Sequence, residues 1–151
     1  MVIASAAFFA MEPVTAATHR FVMHGPGRRL HRSHHLPQGG LEANDAFPVM
    51  FAAVVCAALW VGFNAPGWAD LVPLGAGITA YGLTYAVVHD IYIHRRVRRL
   101  RMPRLSILER LAAAHRIHHQ TSGPPYGMLL PVVSRRSPAS GSRPSHVPAD
   151  A

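Results

Sequence analysis

Lysine is absent from this sequence, and acidic residues and cysteine are scarce. The 151 residues include 15 strongly basic side chains, all arginine, against 7 acidic ones, and 1 cysteine, Cys56. A single cysteine cannot form an internal disulfide or supply a cysteine-based zinc or iron–sulfur site. Cys56 lies within an apolar run, so we interpret it as a packed, unreactive side chain. With 50% hydrophobic and 15% charged residues, the chain as a whole is not disordered.

Charge is also scarce in three long apolar runs, which we predict to be membrane helices. They extend from about Val2 to Thr18, from Ala46 to Phe63 and from Leu71 to Val88. The second and third contain no formal charge and approach the minimum length for crossing a hydrocarbon core of about 30 Å. A secretory signal peptide is the alternative for the first run, but no positively charged segment precedes it.

The distribution of arginine predicts how these helices are oriented. Residues 19–45 contain four arginines and residues 89–120 contain eight, whereas the link 64–70 contains none. If all three runs span the membrane, both basic segments fall on one side, which the positive-inside rule makes cytoplasmic. We therefore expect a multi-pass protein of the cell (inner) membrane, with its charge facing anionic headgroups, and no nucleic-acid partner.

Histidine is abundant, and its 11 residues outnumber the acidic ones. Histidine is the commonest metal ligand. Ten of the 11 form one module twice, an HxxxxH pair followed by an HxxHH cluster. The first module contains His19, His24, His31, His34 and His35, and the second contains His89, His94, His115, His118 and His119. We set aside His146, which lies in a Ser-, Pro- and Arg-rich segment, residues 134–151, predicted to be a disordered tail.

These spacings suit metal binding. Positions i, i+3 and i+4 of a helix lie within an arc of about 100°, so all three imidazoles of an HxxHH can face one centre. Positions i and i+5 are about 140° apart, so each HxxxxH pair needs a loosened turn where an apolar helix ends. Ten imidazoles exceed the ligands of one ion, which favours two metals. Imidazole does not discriminate between iron, copper, zinc and nickel, and a non-catalytic metal-binding membrane protein remains an alternative.

Three carboxylates are possible outer partners that would accept the free ring N–H of a ligand. Asp90 adjoins His89, and Asp45 lies near the predicted membrane edge; a solvated surface position is the alternative for both. Glu12 precedes His19 by seven residues and lies about 20° from it on a helical wheel. A hydrogen bond to another span is the alternative for Glu12.

The order HxxxxH, HxxHH, HDxxxH, HxxHH resembles the non-haem di-iron hydroxylases of the fatty acid hydroxylase and sterol desaturase superfamily, and within it the bacterial-type β-carotene hydroxylases. The similarity extends beyond the histidines, over about residues 11–120. The segments that carry it are Met11–Glu12, Met23–Gly25, Leu41–Asp45, Gly77–Leu83, Val88–Asp90 and Ala114–His119.

This resemblance implies an all-α integral membrane di-iron hydroxylase domain over residues 1–133, with about three to four membrane helices and a cytoplasmic histidine-rich cap. It implies hydroxylation of β-carotene at carbon 3 of its β-ionone ring, through β-cryptoxanthin to zeaxanthin. It further implies that the ten histidines of the two modules hold two iron ions, with no catalytic residue beyond them. O₂ and electrons from a ferredoxin-type or NAD(P)H-linked donor protein would be needed, and the carotenoid would enter from the bilayer. A hydroxylase or desaturase of another membrane lipid is the alternative within the superfamily.

Overall fold

The computed structural model describes residues 1–36, 41–97, 99–100 and 102–130, and these ranges are helical with no strand. The α-helices are α1 (Val2–Ala17), α2 (Arg28–His35), α3 (Ala46–Asn64), α4 (Leu71–Ala86) and α5 (Ser106–Thr121). Thr18–Met23 continues α1, and Val87–Ile93 continues α4, as π-helix; we call them the first and second π-turns. A 3₁₀ turn, Ala43–Asp45, leads into α3. The all-α prediction is confirmed, and the predicted disordered tail, residues 134–151, lies outside the described residues.

Two helices in the described part of the chain are long and apolar enough to cross a membrane. They comprise Ala43–Asn64, with a mean hydropathy of 2.2, and Leu71–Ile93, with 1.5. In the most apolar 18-residue stretch of each helix, only 17% and 22% respectively is buried, whereas the core helix of a soluble protein is mostly buried. The first predicted span, α1, does not meet the same criterion, and Glu12 and Pro13 interrupt its apolar sequence.

Helix α1 nevertheless packs along α4 and runs in the same direction. Ala4 and Ala7 contact α4 at Gly77, and the ring of Phe8 lies 5.7 Å from that of Tyr81, one turn further along α4. A Cβ on Gly77 would lie 2.1 Å from the carbonyl oxygen of Ala4, so this close approach requires glycine. Because α1 and α4 are parallel, the two π-turns that follow them lie at the same end of the molecule.

The remaining helices bring the other histidines to this end. Helix α3 packs antiparallel to α4, to which a short turn at residues 65–70 connects it. Helix α2 contacts the first π-turn and the 3₁₀ turn, and α5 contacts the second π-turn. A small core of Val88, Leu111 and Met128 fixes α5 against that turn. Cys56 is exposed on α3 and is not the packed side chain that we expected.

Candidate metal centre

Each HxxxxH pair lies on a π-turn. The backbone N–H of His24 donates to the carbonyl of His19 over 3.0 Å, and that of His94 donates to the carbonyl of His89 over 2.9 Å. A π-helical turn closes at the fifth residue, so side chains i and i+5, which diverge on an α-helix, come to the same side. The ring centroids are 5.1 Å apart in the first pair and 4.5 Å apart in the second. The loosened turn that the spacing requires is therefore a π-helix.

The histidine nitrogens converge in two groups, in each of which the candidate ligand atoms lie within 4.8 Å of one another. The first group consists of His19, His24, His31, His35 and His118. The second group consists of His34, His89, His94 and His115. The remaining clustered histidine, His119, borders the second group, with its ring centroid 4.4 Å from that of His115 and 4.8 Å from that of His34.

Each HxxHH helix divides its histidines between the two groups. Helix α2 gives His34 to the second group and its other two histidines to the first, and α5 gives His118 to the first group. The expectation that all three imidazoles of one HxxHH face a single centre is therefore wrong. Neighbouring positions i+3 and i+4 differ by about 100° in direction, so one helix face can reach two centres.

The two groups correspond to each other residue by residue. If each histidine of one module is replaced by the histidine at the same place in the other module, the first group becomes the second together with His119. The ring distance between His19 and His31 is 4.8 Å, and the equivalent distance between His89 and His115 is 4.9 Å. The other equivalent ring distances agree to within about 0.6 Å. The exchange pairs His19 with His89, His24 with His94, His31 with His115, His34 with His118 and His35 with His119. The groups are thus related by an approximate twofold axis.

This axis explains the position of His119. The rings of His35 and His119 stack at 4.4 Å with an interplanar angle of 23°, as expected for equivalent residues that meet at the axis. His35 belongs to the first group, so its counterpart His119 completes the second to five histidines. All ten histidines of the two modules are then accounted for.

Histidines of the first group donate their Nδ1–H to neutral oxygens. The contacts are His19 to the carbonyl of Tyr126 (3.1 Å), His31 to Oδ1 of Asn44 (2.7 Å) and His118 to the carbonyl of Gly123 (2.6 Å). A carbonyl oxygen can only accept a hydrogen bond, which fixes the ring proton on Nδ1 and leaves a lone pair on Nε2. The Nε2 atoms of these residues are therefore the ones available to bind a metal.

Histidines of the second group donate to carboxylates instead. Nδ1 of His34 lies 3.1 Å from Oε2 of Glu42, and Nδ1 of His89 lies 2.9 Å from Oδ1 of Asp90. Asp90 therefore lies where an outer partner of His89 was predicted. The two groups thus differ in the oxygens that accept Nδ1–H. A carboxylate acceptor raises the basicity of the histidine bound to it more than a neutral oxygen does.

Asp45 lies one step further from the metal site than predicted. Its carboxylate binds the guanidinium of Arg96 with two hydrogen bonds of 2.7 and 2.6 Å. The same guanidinium lies 3.7 Å from Asp90, so Arg96 and Asp90 lie between Asp45 and His89. Asp45 also accepts the backbone N–H of Glu42 over 3.0 Å, which closes the 3₁₀ turn before α3.

Glu12, the third predicted outer partner, makes its hydrogen bonds to other groups. The Tyr81 hydroxyl on α4 donates to its Oε2 over 2.6 Å, and backbone N–H groups of residues 128–130 donate to its Oε1. The alternative weighed for Glu12, a hydrogen bond to another apolar helix, describes the contact with Tyr81. It is connected to His118 and His19 through the backbone of the segment that follows α5.

Sequence reasoning missed four outer acceptors. The side chains of Glu42 and Asn44 lie in Leu41–Asp45, one of the segments that carried the resemblance, so a signal for them was present. The carbonyls of Gly123 and Tyr126 belong to the backbone, and no residue pattern could have identified them.

The histidines are suited to bind metal cations. Nε2 of His34 and Nε2 of His119 are buried and have no hydrogen-bond partner. Nε2 of His19 lies 3.1 Å from Nε2 of His31, where two lone pairs would repel unless a cation lies between them. Burial lowers the pKa of His31 to about 4 and that of His119 to about 3, which keeps both rings in the neutral form that binds metal.

The second group is accessible from outside. A cavity of about 250 Å³ opens on it, lined by Ile93, His94, Ala112, His115, Arg116 and His119. Arg116 is exposed at this cavity, whereas His118, which belongs to the first group, is fully buried.

A bundle of apolar helices that carries two histidine groups at one end defines a helical protein with a candidate dinuclear metal centre. The chain belongs to the fatty acid hydroxylase family, which it matches over residues 4–135. This confirms the resemblance drawn from the histidine motifs.

Curated relatives include several proteins named β-carotene hydroxylase. The one from Pseudescherichia vulneris is 44% identical over 131 residues, which are 86% of this chain and 73% of the relative. The one from Pantoea ananas is 43% identical over 114 residues, 75% of this chain and 64% of the relative. The one from Paracoccus sp. (strain PC1) is 39% identical over 115 residues, 75% and 70% of the two chains. No solved structure significantly matches the chain.

Proposed function

We propose that this protein is a membrane β-carotene 3-hydroxylase that uses two irons and O₂. The observation that carries the proposal is the pair of histidine groups, of five and four residues with His119 beside the second, at the end of apolar helices in a chain similar to proteins named β-carotene hydroxylase. Iron is favoured over zinc because oxidation of a C–H bond requires a redox-active metal, and zinc has no redox chemistry.

The reaction inserts one oxygen atom of O₂ into the C–H bond at carbon 3 of the β-ionone ring. The other oxygen atom leaves as water, which takes up two protons and two electrons from a donor. Such a ring C–H is unactivated and offers nothing to a side-chain acid, base or nucleophile. Iron bound to the two groups would supply the O₂-activating, oxidising chemistry that the protein itself lacks.

The side chains would hold the two ions and tune them. The Nε2 atoms of both groups would be ligands. An oxygen that accepts Nδ1–H keeps five of the rings in orientation, those of His19, His31, His34, His89 and His118. Neutral imidazoles leave a bound ion its full positive charge. In the second group, Glu42 and Asp90 would partly balance that charge through His34 and His89.

We propose that α1, α3 and α4 cross the membrane together. The exposed surface of these helices is strongly apolar: Phe9 is 70%, Val54 68% and Phe63 72% exposed. Helix α1 follows α4 along Gly77 and Tyr81, so it would lie at the same depth as α4. Its buried Glu12 is fully hydrogen-bonded, which reduces the cost of a carboxylate at that depth.

With three spans, the histidine groups and the arginine-rich segments face the cytoplasm of the inner membrane, and the link 64–70 faces the opposite side. Reporter fusions test this orientation. A fusion after Gln120 should report the cytoplasm, and a fusion at Pro66 should report the periplasm. The reverse pattern, or a cytoplasmic signal at both positions, would contradict the three-span arrangement.

The electron donor is proposed to be a ferredoxin-type or NAD(P)H-linked protein that approaches the second group. The cavity there is lined by His94, His115 and His119. Arg95, Arg104 and Arg116 are exposed in the segments that flank or line it. A cationic surface beside a redox site favours encounter with an acidic carrier.

Pigment chromatography tests the activity. Expression in a bacterium that accumulates β-carotene should yield β-cryptoxanthin and zeaxanthin, and the His118→Ala variant should yield neither. His146→Ala, which alters a histidine outside the two modules, should behave like the unchanged protein. If the membrane-inserted, iron-loaded protein forms no hydroxylated carotenoid, the carotenoid assignment fails. Hydroxylated or desaturated fatty acids or sterols in the same cells would instead identify another lipid as the substrate.

A further inference from the structure

Glu12 is a buried carboxylate within an apolar helix, and the proposed reaction gives it no direct part. It is only 8% exposed and lies in the middle of α1. Burying a carboxylate costs free energy unless hydrogen-bond donors surround it. Its position therefore needs a structural or functional reason.

Both carboxylate oxygens of Glu12 accept hydrogen bonds. Oε1 accepts three successive backbone N–H groups, from Met128 (2.8 Å), Leu129 (2.9 Å) and Leu130 (2.9 Å). Oε2 accepts the hydroxyl of Tyr81 over 2.6 Å. Hydrogen bonds to an ionised acceptor are about twice as strong as those between neutral groups. Glu12 thus fastens the segment that follows α5 to both α1 and α4.

That segment is shaped to fit the carboxylate. A Cβ on Gly127 would lie 2.7 Å from Oε1 of Glu12, so a side chain at this position would displace either the carboxylate or the loop. The next residue, Met128, is 3% exposed and packs against Val88 and Leu111. Residues 123–130, which we call the acceptor loop, are therefore held at their end by one carboxylate and one buried side chain.

Two backbone carbonyls near the beginning of the acceptor loop accept hydrogen bonds from histidines. The carbonyl of Gly123 accepts Nδ1–H of His118 over 2.6 Å, and the carbonyl of Tyr126 accepts Nδ1–H of His19 over 3.1 Å. Both histidines belong to the first group. In the second group, the oxygens that accept Nδ1–H from His34 and His89 are carboxylates outside the loop.

We infer that Glu12 is a positioning residue for the first metal group: by holding the acceptor loop, it aims the Gly123 and Tyr126 carbonyls that orient His118 and His19. The inference rests on the proposed metal centre but not on the identity of the substrate. It assigns Glu12 a larger effect on the first group than on the second.

Binding of Co²⁺ to the full-length protein in detergent tests this inference. Histidine-bound Co²⁺ absorbs visible light, so each group can be titrated without turnover. A His34→Ala background, which removes a ligand of the second group, reports on the first, and a His118→Ala background reports on the second. Glu12→Gln keeps the size of the side chain and removes its charge.

In the first-group background, Glu12→Gln should weaken Co²⁺ binding by about tenfold and shift its visible bands, the usual loss when an outer partner is disturbed. In the second-group background, the affinity should change by less than about twofold. Gly127→Ala, which pushes the loop away from the carboxylate, should give the same pattern. Asp70→Asn, which alters an exposed acid at the far end of α4, should change neither group.

Unchanged first-group binding in both Glu12→Gln and Gly127→Ala would overturn the inference. Equal weakening of both groups would overturn it too, because it would indicate a general loss of structure. If Glu12→Gln does not give a helical protein by circular dichroism, Gly127→Ala and Tyr81→Phe decide by the same measurement. A protein that binds two Co²⁺ ions but makes no hydroxylated carotenoid would refute the proposed function and leave this inference standing.

Discussion

The two histidine groups have nearly the same ring geometry but different surroundings. Neutral oxygens accept Nδ1–H in the first group, two of them backbone carbonyls of the acceptor loop. Carboxylates accept it in the second, where Arg96 joins Asp90 to Asp45. The second group also borders the cavity, whereas His118 of the first is fully buried.

The comparison teaches that a repeated ligand pattern does not make two equivalent sites. Charged acceptors raise the basicity of the histidines they bind and help to balance the charge of a bound ion. We therefore expect the second group to bind a divalent ion more tightly than the first and to favour its oxidised state more strongly. Its access to the cavity fits a group that receives electrons from outside.

The largest expected effect comes from the two histidines that cross between modules. His34→Ala should remove a ligand from the second group and His118→Ala one from the first, so each variant should retain about one bound metal. Both should lose turnover while remaining in the membrane, because the proposed reaction needs both ions. Iron content per chain and pigment chromatography measure these effects.

If His34→Ala instead disturbed the group that contains its sequence neighbours His31 and His35, the crossed arrangement would be wrong. Spectra of the single remaining Co²⁺ ion in the two variants distinguish the cases. They should differ from each other and add up to the spectrum of the unchanged protein.

An intermediate effect is expected from changing the charge of the side chains that accept Nδ1–H from the histidines. Glu42→Gln keeps an acceptor for His34 but removes its charge, and should weaken second-group binding by about tenfold. Asn44→Asp adds a charge beside His31 and should strengthen first-group binding by a few-fold. Co²⁺ titration in the single-group backgrounds measures both, and affinities that stay unchanged would show that acceptor charge does not distinguish the groups.

The smallest effect is expected from the helix contact that fixes the distance between the groups. Gly77→Ala would place a Cβ against the carbonyl of Ala4 and should destabilise the protein by about 1–3 kcal/mol, as overpacking generally does. Metal binding should weaken slightly and equally in both groups, since α1 and α4 lead into the two π-turns.

Gly82→Ala is the matched control, because a Cβ there has nothing within 4 Å. Its thermal midpoint should equal or slightly exceed that of the unchanged protein, since alanine favours helix over glycine. A larger loss for Gly82→Ala than for Gly77→Ala would disprove the close α1–α4 contact.

Much of the site could be predicted because it depends on the spacing of residues close together in the sequence. The two modules, the need for a loosened turn at His19 and His89 and the proximity of Asp90 to His89 all follow from distances of one to five residues along the chain. The loosened turns, which are π-helices, and the contact between Asp90 and His89 have the geometry expected of them. The HxxHH clusters do not, because each divides its histidines between the two groups.

Other features depend on residues far apart in sequence. The bond between Asp45 and Arg96 spans 51 residues, and those from Glu12 to the acceptor loop span more than 115. Asp45 was predicted from its nearness to the membrane edge, and nothing local indicated that an arginine would lie between it and the histidines. Charge and spacing identify what a side chain can bind but not which distant partner reaches it.

The sequence by itself determined the helical class, the two metal-binding modules and the family, because periodicity, hydropathy and ligand spacing act over one or two helical turns. Only the tertiary structure decided how the modules share their histidines. The parallel contact of α1 and α4 at Gly77 brings the two π-turns together, and α2 and α5 then each supply histidines to both groups. Two side chains that point about 100° apart on one helix join different groups only when both groups lie beside that helix.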